Sequence, residues 1–413
     1  MPTRFAAAAV ITALTASPIA AQQGDTTATG RSPTRPSQTS PPLQQVTTAS
    51  GAQLELSGMI LINGFSNNAN TFLDEIPQWV TPPAPPPSLP NVGASASARQ
   101  SRLTLVTYVP EVMGASFRGE VDVDFFGGLH PSDGGRTWPN LRLRRTRADL
   151  EWQNVSVMIG QETPPIADLN PSSLAAIGIP GFTGSGNLYL WIPQVRVQVH
   201  GMVSGVRLGL EGTAMAPNAS TPQPDPFYTE PDQAERSQRP FVEGRLLINI
   251  GNVESGARVT AGGHYGWLST TTDELLEMRA AAATLHVFTR FVELRGEGFI
   301  GEGLLPLGGG GIYQTFAADG SLLMTKGGWA QLNVFPMDDV EVGGGYGMDD
   351  PDDDAFAPNV GRRKNAQIEA HVHWTPSPLV FGVEFRRLET TFGDPALDKL
   401  SNNHINIAAG FVF

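Results

Sequence analysis

The chain contains no cysteine, only three lysines, and charged residues at just 16% of its length. The missing cysteines exclude a disulfide framework, thiolate catalysis and Cys-ligated zinc or iron–sulfur sites. The charged fraction is well below the ~25% of ordinary soluble domains. Long hydrophobic runs are also lacking: beyond the N-terminus no stretch approaches the ~18 apolar residues of a spanning helix. Cations are outnumbered, with 27 Lys and Arg against 40 Asp and Glu for a net charge of -13, which argues against nucleic-acid binding. The glycine run at 308–311 has no following Lys-Ser/Thr pair, so it is no phosphate loop. No Ser, His and Asp stand out as a nucleophile and its base. No catalytic residue, cofactor or metal is therefore expected. His371 and His373 share a strand face, but two ligands are too few to hold a metal. The acidic run at 349–354 lacks the spacing, glycine and terminal glutamate of a calcium loop and reads as a solvated or lipopolysaccharide-facing loop.

What is present is length, turns and arginine. The 413 residues include 46 Gly and 34 Pro, and of the 27 cations all but three are arginine. The length exceeds that of the smallest barrels and falls short of a ~22-stranded transporter with its plug domain. Arg4 precedes an apolar run from Phe5 to Ala16 and a small-residue site ending at Ala21, so residues 1–21 are expected to be a cleaved export signal. Residues 22–52 are Ser/Thr/Pro/Gln-rich and too polar to fold, which predicts a flexible periplasmic linker before a domain at 53–413.

From Gln53 onward the apolar residues recur at period two. In residues 116–126, Phe117, Val121, Val123 and Phe125 share one face, while Arg118, Glu120, Asp122 and Asp124 share the other. A soluble sandwich and a membrane barrel both produce such alternation. The spacing separates them. Sixteen strands are predicted, near 53–65, 99–109, 115–127, 141–152, 154–161, 187–199, 204–215, 240–250, 255–268, 278–289, 291–301, 325–335, 338–348, 364–375, 378–390 and 402–413. Long gaps follow every odd strand and short ones every even strand. That is the arrangement of an outer-membrane barrel, with short periplasmic turns and long external loops. The expected fold is all-β: a closed antiparallel transmembrane β-barrel of 16 strands, because lipid cannot satisfy an open sheet edge. IYQTF at 312–316 is the main ambiguity in the count. Trp152, Trp374 and Phe413 at one end of their strands, and Trp267 and Tyr346 at the other, fit two interfacial girdles.

Sixteen strands leave a lumen wide enough for water, and its wall is charged. Arg102, Arg118, Glu120, Asp122, Asp124 and Arg196 fall on inward faces. The fourth strand changes parity between Leu143 and Ala148, so a β-bulge near Arg144–Arg145 is expected to turn Arg142, Arg144 and Arg147 inward. Without it several charges would meet lipid, at ~2–4 kcal/mol each near the midplane. Two uses of arginine stay open: cross-strand pairs that stitch the wall, and a ladder presented to anionic solutes. The third long gap, 162–186, carries only Glu162 and Asp168 as charges and a compact apolar stretch from Ile177 to Phe182. It is expected to fold into the pore and set Glu162 and Asp168 against Arg102, Arg118, Arg142, Arg144 and Arg147, creating a strong transverse field. The competing expectation is that it packs on a neighbouring subunit.

Between residues 99 and 199 run the blocks RQSRLTL, GEVDVDFFGG, LRLRRTRADLEWQNVSVMIGQE, NPSSLA and GNLYLWIPQVRVQV. In order and spacing these resemble the DcaP-like trimeric porins of Gram-negative outer membranes. The resemblance implies a homotrimer in outer-membrane lipid, a third loop folded into each pore, and passage of small anionic compounds such as dicarboxylates. The terminal strand ending in Phe413 resembles the signal read by the barrel assembly machinery. Residues 23–50 have no heptad pattern, so no coiled-coil stalk is expected. The function expected from the sequence is passive diffusion of small hydrophilic, anionic solutes. A barrel enzyme of lipase or protease type and a plugged structural or adhesive barrel are the alternatives.

Overall fold

Inward charge and outward aliphatic side chains, alternating along every strand, close into a single barrel. The computed structural model describes residues 46–47, 51–83, 92–127, 139–219, 230–252, 254–270, 274–397 and 399–413. The expected export signal and nearly all of the expected linker lie outside them; Val46–Thr47 pairs with Leu54 and Gln53. Sixteen strands form the wall: β1 (Gln53–Asn67), β2 in two segments (Gly93–Ser97 and Arg102–Val112), β3 (Ala115–Gly127), β4 (Asn140–Glu151), β5 (Val155–Glu162), β6 (Ile192–Val203), β7 (Val206–Met215) and β8 (Phe241–Gly251). They continue as β9 (Gly256–Ser269), β10 (Leu275–Phe288), β11 (Val292–Glu302), β12 (Met324–Met337), β13 (Val340–Pro351), β14 (Arg362–Trp374), β15 (Leu379–Phe392) and β16 (Lys399–Val412).

Each strand pairs antiparallel with its neighbours, and β16 closes on β1 from Met59↔Val412 to Asn67↔His404. The seam ends in reciprocal backbone hydrogen bonds of 3.0 Å between Gly58 and Phe413. No edge remains among the described strands, which is the condition for a sheet in hydrocarbon. The outward positions, including Leu143, Ile159, Val197, Leu210, Leu246, Ile300, Ile368, Val383 and Ile407, are exposed around the whole circumference. Such a surface suits lipid and is far larger than the apolar patches tolerated in water. Among the described residues no helix is long and apolar enough to cross a membrane.

Two local features aim side chains at the lumen. Asp122 lies opposite Arg145 and Val123 opposite Leu143, so Arg144 is the extra residue of a bulge where the parity of β4 changes. The break at 98–101 between the segments of β2 turns Gln100 inward, fully buried. One boundary differs from the sequence expectation, and one ambiguity in the strand count is resolved. β6 begins at Ile192 and not near 187, because Leu188 is drawn into a cluster with Leu304 and Leu307 and continues the third loop. IYQTF makes no barrel strand: Ile312 is buried in the loop between β11 and β12, and its backbone N–H is held by Asp349 at 3.2 Å.

Candidate functional site

The lumen site is assembled from the third external loop, residues 163–191, and two unlike stretches of wall. The loop cannot continue β5, because Pro164 and Pro165 remove donors and fix φ, and Pro171 and Pro180 prevent regular structure further on. A single 3₁₀ turn, Pro165–Ala167, is buried. Nearly all of the loop is inaccessible to solvent, and its backbone is satisfied by side chains of the barrel wall. Ile166 donates its N–H to Glu243 on β8 at 3.0 Å, and Leu169 donates to Glu297 on β11 at 2.7 Å. Ser172 exchanges two hydrogen bonds with Gln331 on β12 at 2.7 and 2.9 Å. Leu174 and Ala175 N–H and the Ser173 hydroxyl all donate to Glu384 on β15, the last two at 3.0 and 2.7 Å. Gln100 then donates to Ala175 O at 2.9 Å and accepts from Ile177 N at 2.7 Å, and Arg142 on β4 donates to Gly178 O at 2.5 Å. The loop thus makes almost a full lap of the inner wall before it doubles back.

On the return its apolar residues need space. Phe182 stacks on Trp329 with centroids 5.7 Å apart. It lies over the inward glycines of β13, where a Cβ at Gly347 would fall 2.6 Å from the Phe182 ring. Asn365 on β14 donates to Gln78 O, Gly184 O and Ser185 Oγ at 2.8 Å each, joining the first and third loops. The compact apolar stretch therefore faces the lumen, and the alternative of a loop packed on a neighbouring subunit is set aside.

On β2–β5 the wall is built of arginine–carboxylate pairs. Arg102 donates to Asp122 at 2.5 Å, Arg118 to Glu120 at 2.5 Å, and Arg142 to Asp124 at 2.6 and 3.1 Å. Arg144 sits between Asp122 and Asp124 at 3.6 and 3.4 Å, with its guanidinium 4.8 Å from the centroid of the Trp191 ring. Arg147 bonds Asp149 at 2.6 Å and Glu162 at 3.1 Å. Arg196 on β6 donates to Gln194 at 2.7 Å and to Thr163 O. The structure thus gathers these residues into two adjoining ion-pair groups, Arg102, Asp122, Arg144, Asp124 and Arg142 in one, and Arg118, Glu120, Arg147 and Glu162, linked through Arg145, in the other, with Arg196 beside the loop end of the second. Asp168 is the exception. It lies against Arg245 on β8 and Arg258 on β9, at 2.6 and 2.5 Å, and does not face β2–β4. The physical reason is the path of the loop, which heads first along β8–β11 and reaches Arg142 only at Gly178. Burial would raise the Asp168 carboxyl, but the Arg245 and Arg258 guanidiniums hold it below the usual carboxylate value.

Two contributors were missed in the sequence. Arg145 is buried and bridges Glu162 at 2.8 Å and Glu120 at 3.1 Å; the bulge that turns Arg144 inward leaves Arg145 inward as well. Trp191 was assigned to a strand, yet it closes the third loop with Arg142 and Arg144 over its ring. Arginine-aromatic proximity across the gap 144–191 carries no local signal.

In three of these ion pairs the arginine is the more exposed member, whereas in Arg147–Asp149 the carboxylate is, at 18% against 8%. The arginine side chain is 13% accessible against 0% for its carboxylate in Arg102–Asp122, 28% against 5% in Arg118–Glu120, and 25% against 0% in Arg142–Asp124. In those three pairs the guanidinium is the accessible group and the carboxylate behind it is covered.

No protein-family model matches the sequence, and no curated protein does. The fold is that of outer-membrane porins. Among solved structures, the chain is similar to the outer membrane channel DcaP of Acinetobacter baumannii, with a TM-score of 0.67 and 16% identity over 89% of this chain and 99% of that one. It is also similar to an anion-selective porin from Comamonas acidovorans, with a TM-score of 0.57 and 14% identity over 88% and 100%. OmpT of Vibrio cholerae follows at 0.53 and 10% over 90% and 100%. The likeness to DcaP agrees with the resemblance carried by the blocks between residues 99 and 199.

Proposed function

We propose that this protein is an outer-membrane porin that lets small hydrophilic anions diffuse passively through a lumen narrowed by its third loop. The carrying observation is the asymmetry of exposure. Arg102, Arg118 and Arg142 reach the lumen water while Asp122, Glu120 and Asp124 are buried behind them. A low-dielectric aperture that shows cations to solvent concentrates anions and repels cations. The band of outward aliphatic side chains supports a place in the outer membrane of a Gram-negative-type bacterium, and the structural neighbours there include an anion-selective porin and a trimeric protein. By that likeness the working unit is a homotrimer, delivered by an export signal and inserted by the barrel assembly machinery. The likeness to porin structures favours a channel over an enzyme.

A second reading, a plugged barrel, is favoured by one observation: Asn333, Asn365 and Arg386 on the wall are wholly inaccessible. Planar-bilayer recording in a KCl gradient decides between them. The expected result is stable conductance steps, in groups of three, with a reversal potential of anionic sign. Correct insertion without conductance would establish the plug, and a cationic reversal potential would overturn the anion assignment.

A further inference from the structure

Near the periplasmic end of the lumen, the inner face of β13 and β14 carries a cluster that pore selectivity does not use. Glu341 lies directly across the ladder from His373, and Gly343 directly across from His371. Glu341 Oε1 is 3.0 Å from His371 Nε2 and 3.8 Å from His373 Nδ1, and one ligating atom from each of the three residues falls within 4.8 Å of the others. The two imidazoles stack, with centroids 4.2 Å apart and planes 11° from parallel. The sequence alone offered two ligands at period two; the register adds a third from the neighbouring strand.

We propose that Glu341, His371 and His373 bind a borderline divalent transition-metal ion of the zinc class. Four observations carry this. The first is the donor set: two imidazole nitrogens and one carboxylate oxygen suit zinc and its neighbours, with the fourth position left to water. A tetrahedral zinc site has ligand–ligand edges of about 3.3 Å, so the side chains need close by only about 1.5 Å at most. The second is the state of His373. Its Nε2 is 3.0 Å from Glu384 Oε1, which makes Nε2–H the donor and leaves a lone pair on Nδ1. That Nδ1 is buried, has no hydrogen-bond partner, and faces the Glu341 carboxylate. In the neutral ring that lone pair faces an anion, which is unfavourable until a proton or a metal ion lies between them, so metal binds here in competition with a proton. The Glu384 contact is also the orienting carboxylate–histidine hydrogen bond usual behind a metal ligand.

The third observation is local charge. Glu341, Glu369 and Glu384 surround the site and Arg386 supplies one guanidinium, 2.9 Å from Glu384 and 3.7 Å from Glu369. With neutral histidines the surroundings carry a net negative charge that a dication offsets. His371 Nε2 gives up its proton on ligation, so uptake releases protons or moves that proton to Nδ1. The fourth is construction and access. A Cβ at Gly343 would fall 2.4 Å from His371 Cε1, so only glycine leaves room for the ring. The histidine side chains are 1% and 2% accessible and Glu341 is 9%, so the carboxylate is the group an arriving ion meets first. Because Glu384 also accepts the Leu174 and Ala175 N–H groups, metal occupancy is linked to the anchor of the third loop.

The test uses the full barrel in detergent, stripped of metal by chelator and then titrated with CoCl2 and ZnCl2. The expected result is a visible d–d absorption of four-coordinate Co2+ that saturates at a single ion per chain and is bleached by Zn2+. The double variant His371→Ala/His373→Ala, with folding checked by heat-modifiable gel mobility, is expected to lose binding by at least about tenfold, and Glu341→Gln to weaken it by a smaller factor. Absence of the band in the native chain would overturn the proposal whether or not any variant folds, and so would unchanged binding in the folded double variant. Neither readout depends on conductance, so the outcome is independent of the porin reading.

Discussion

The wall of β2–β5 and the wall of β11–β15 both carry many inward carboxylates, and they treat them differently. On β2–β5 each carboxylate is covered by arginine: Asp122 by Arg102 and Arg144, Asp124 by Arg142 and Arg144, and Glu120 by Arg118 and Arg145. On β11–β15 the covering groups are mostly backbone N–H groups of the third loop and the rings of histidines: Glu297 holds Leu169, and Glu384 holds Leu174, Ala175 and His373. The two solutions have different consequences. Arginine leaves a permanent cation at the water surface. A peptide N–H leaves none, and the carboxylate it covers anchors the loop. On the proposed reading, one wall would set the sign of the pore and the other its width.

The sharpest way to break this division is Glu384→Ala. It orphans loop N–H groups and removes the closer carboxylate from the fully buried Arg386, which keeps Glu369 only at 3.7 Å. The expected cost is about 3–5 kcal/mol, in line with the loss of one partner of a buried ion pair. The third loop should release, and single-channel conductance should rise with little change in ion preference. Melting followed by heat-modifiable mobility should fall in parallel; an unchanged conductance would show that Glu384 does not set the width. The converse change is Arg118→Ala with Arg142→Ala. Here the anion-to-cation permeability ratio should drop several-fold while conductance moves little, as a reversal potential will report. If the ratio stays, the selectivity lies elsewhere on the wall.

Gly347→Val probes the width without touching charge. Its side chain would meet the Phe182 ring and Ser185 O, where a Cβ already lies at 2.6 and 2.4 Å. Overpacking of this kind costs about 1–3 kcal/mol. The expected readout is a noisier channel with altered conductance and an unchanged permeability ratio; a quiet channel of native conductance would mean that the loop does not rest on these glycines.

The smallest effect concerns acid. Burial opposes ionisation of Asp168, but Arg245 and Arg258 hold its folded pKa below the unfolded one, so its stabilising contribution is complete above the unfolded value and is lost only as pH falls through the lower, folded one. The start of the third loop should therefore stay anchored from neutral pH down to about pH 5, with conductance unaffected by this group. Asp168→Asn removes the charge at all pH values and should make conductance noise rise at neutral pH; if the native channel itself loosens near about pH 5, this anchor is not what holds the loop.

Much of this division was legible before any fold was known. The alternation of Phe117, Val121 and Val123 with Arg118, Glu120 and Asp122 follows from the pleat, and the parity change between Leu143 and Ala148 demanded a bulge because charge cannot face lipid. The apolar run from Ile177 to Phe182 marked the third loop as inward. The partners of its charges were not legible. Asp168 and Arg258 are ninety residues apart, and their meeting depends on the direction the loop takes round the wall. Arg145 was left out because parity alone assigns one residue of a bulge and not both.

Period-two patterning and the rhythm of long and short gaps, both local properties of the chain, determined by themselves a closed lipid-facing barrel of sixteen strands with a charged lumen. Only the tertiary structure decided which carboxylate meets arginine and which meets peptide, and which strand brings Glu341 beside His371 and His373. Those contacts are set by ladder register and by a loop that crosses the lumen, and neither leaves a trace in the spacing of residues along one strand.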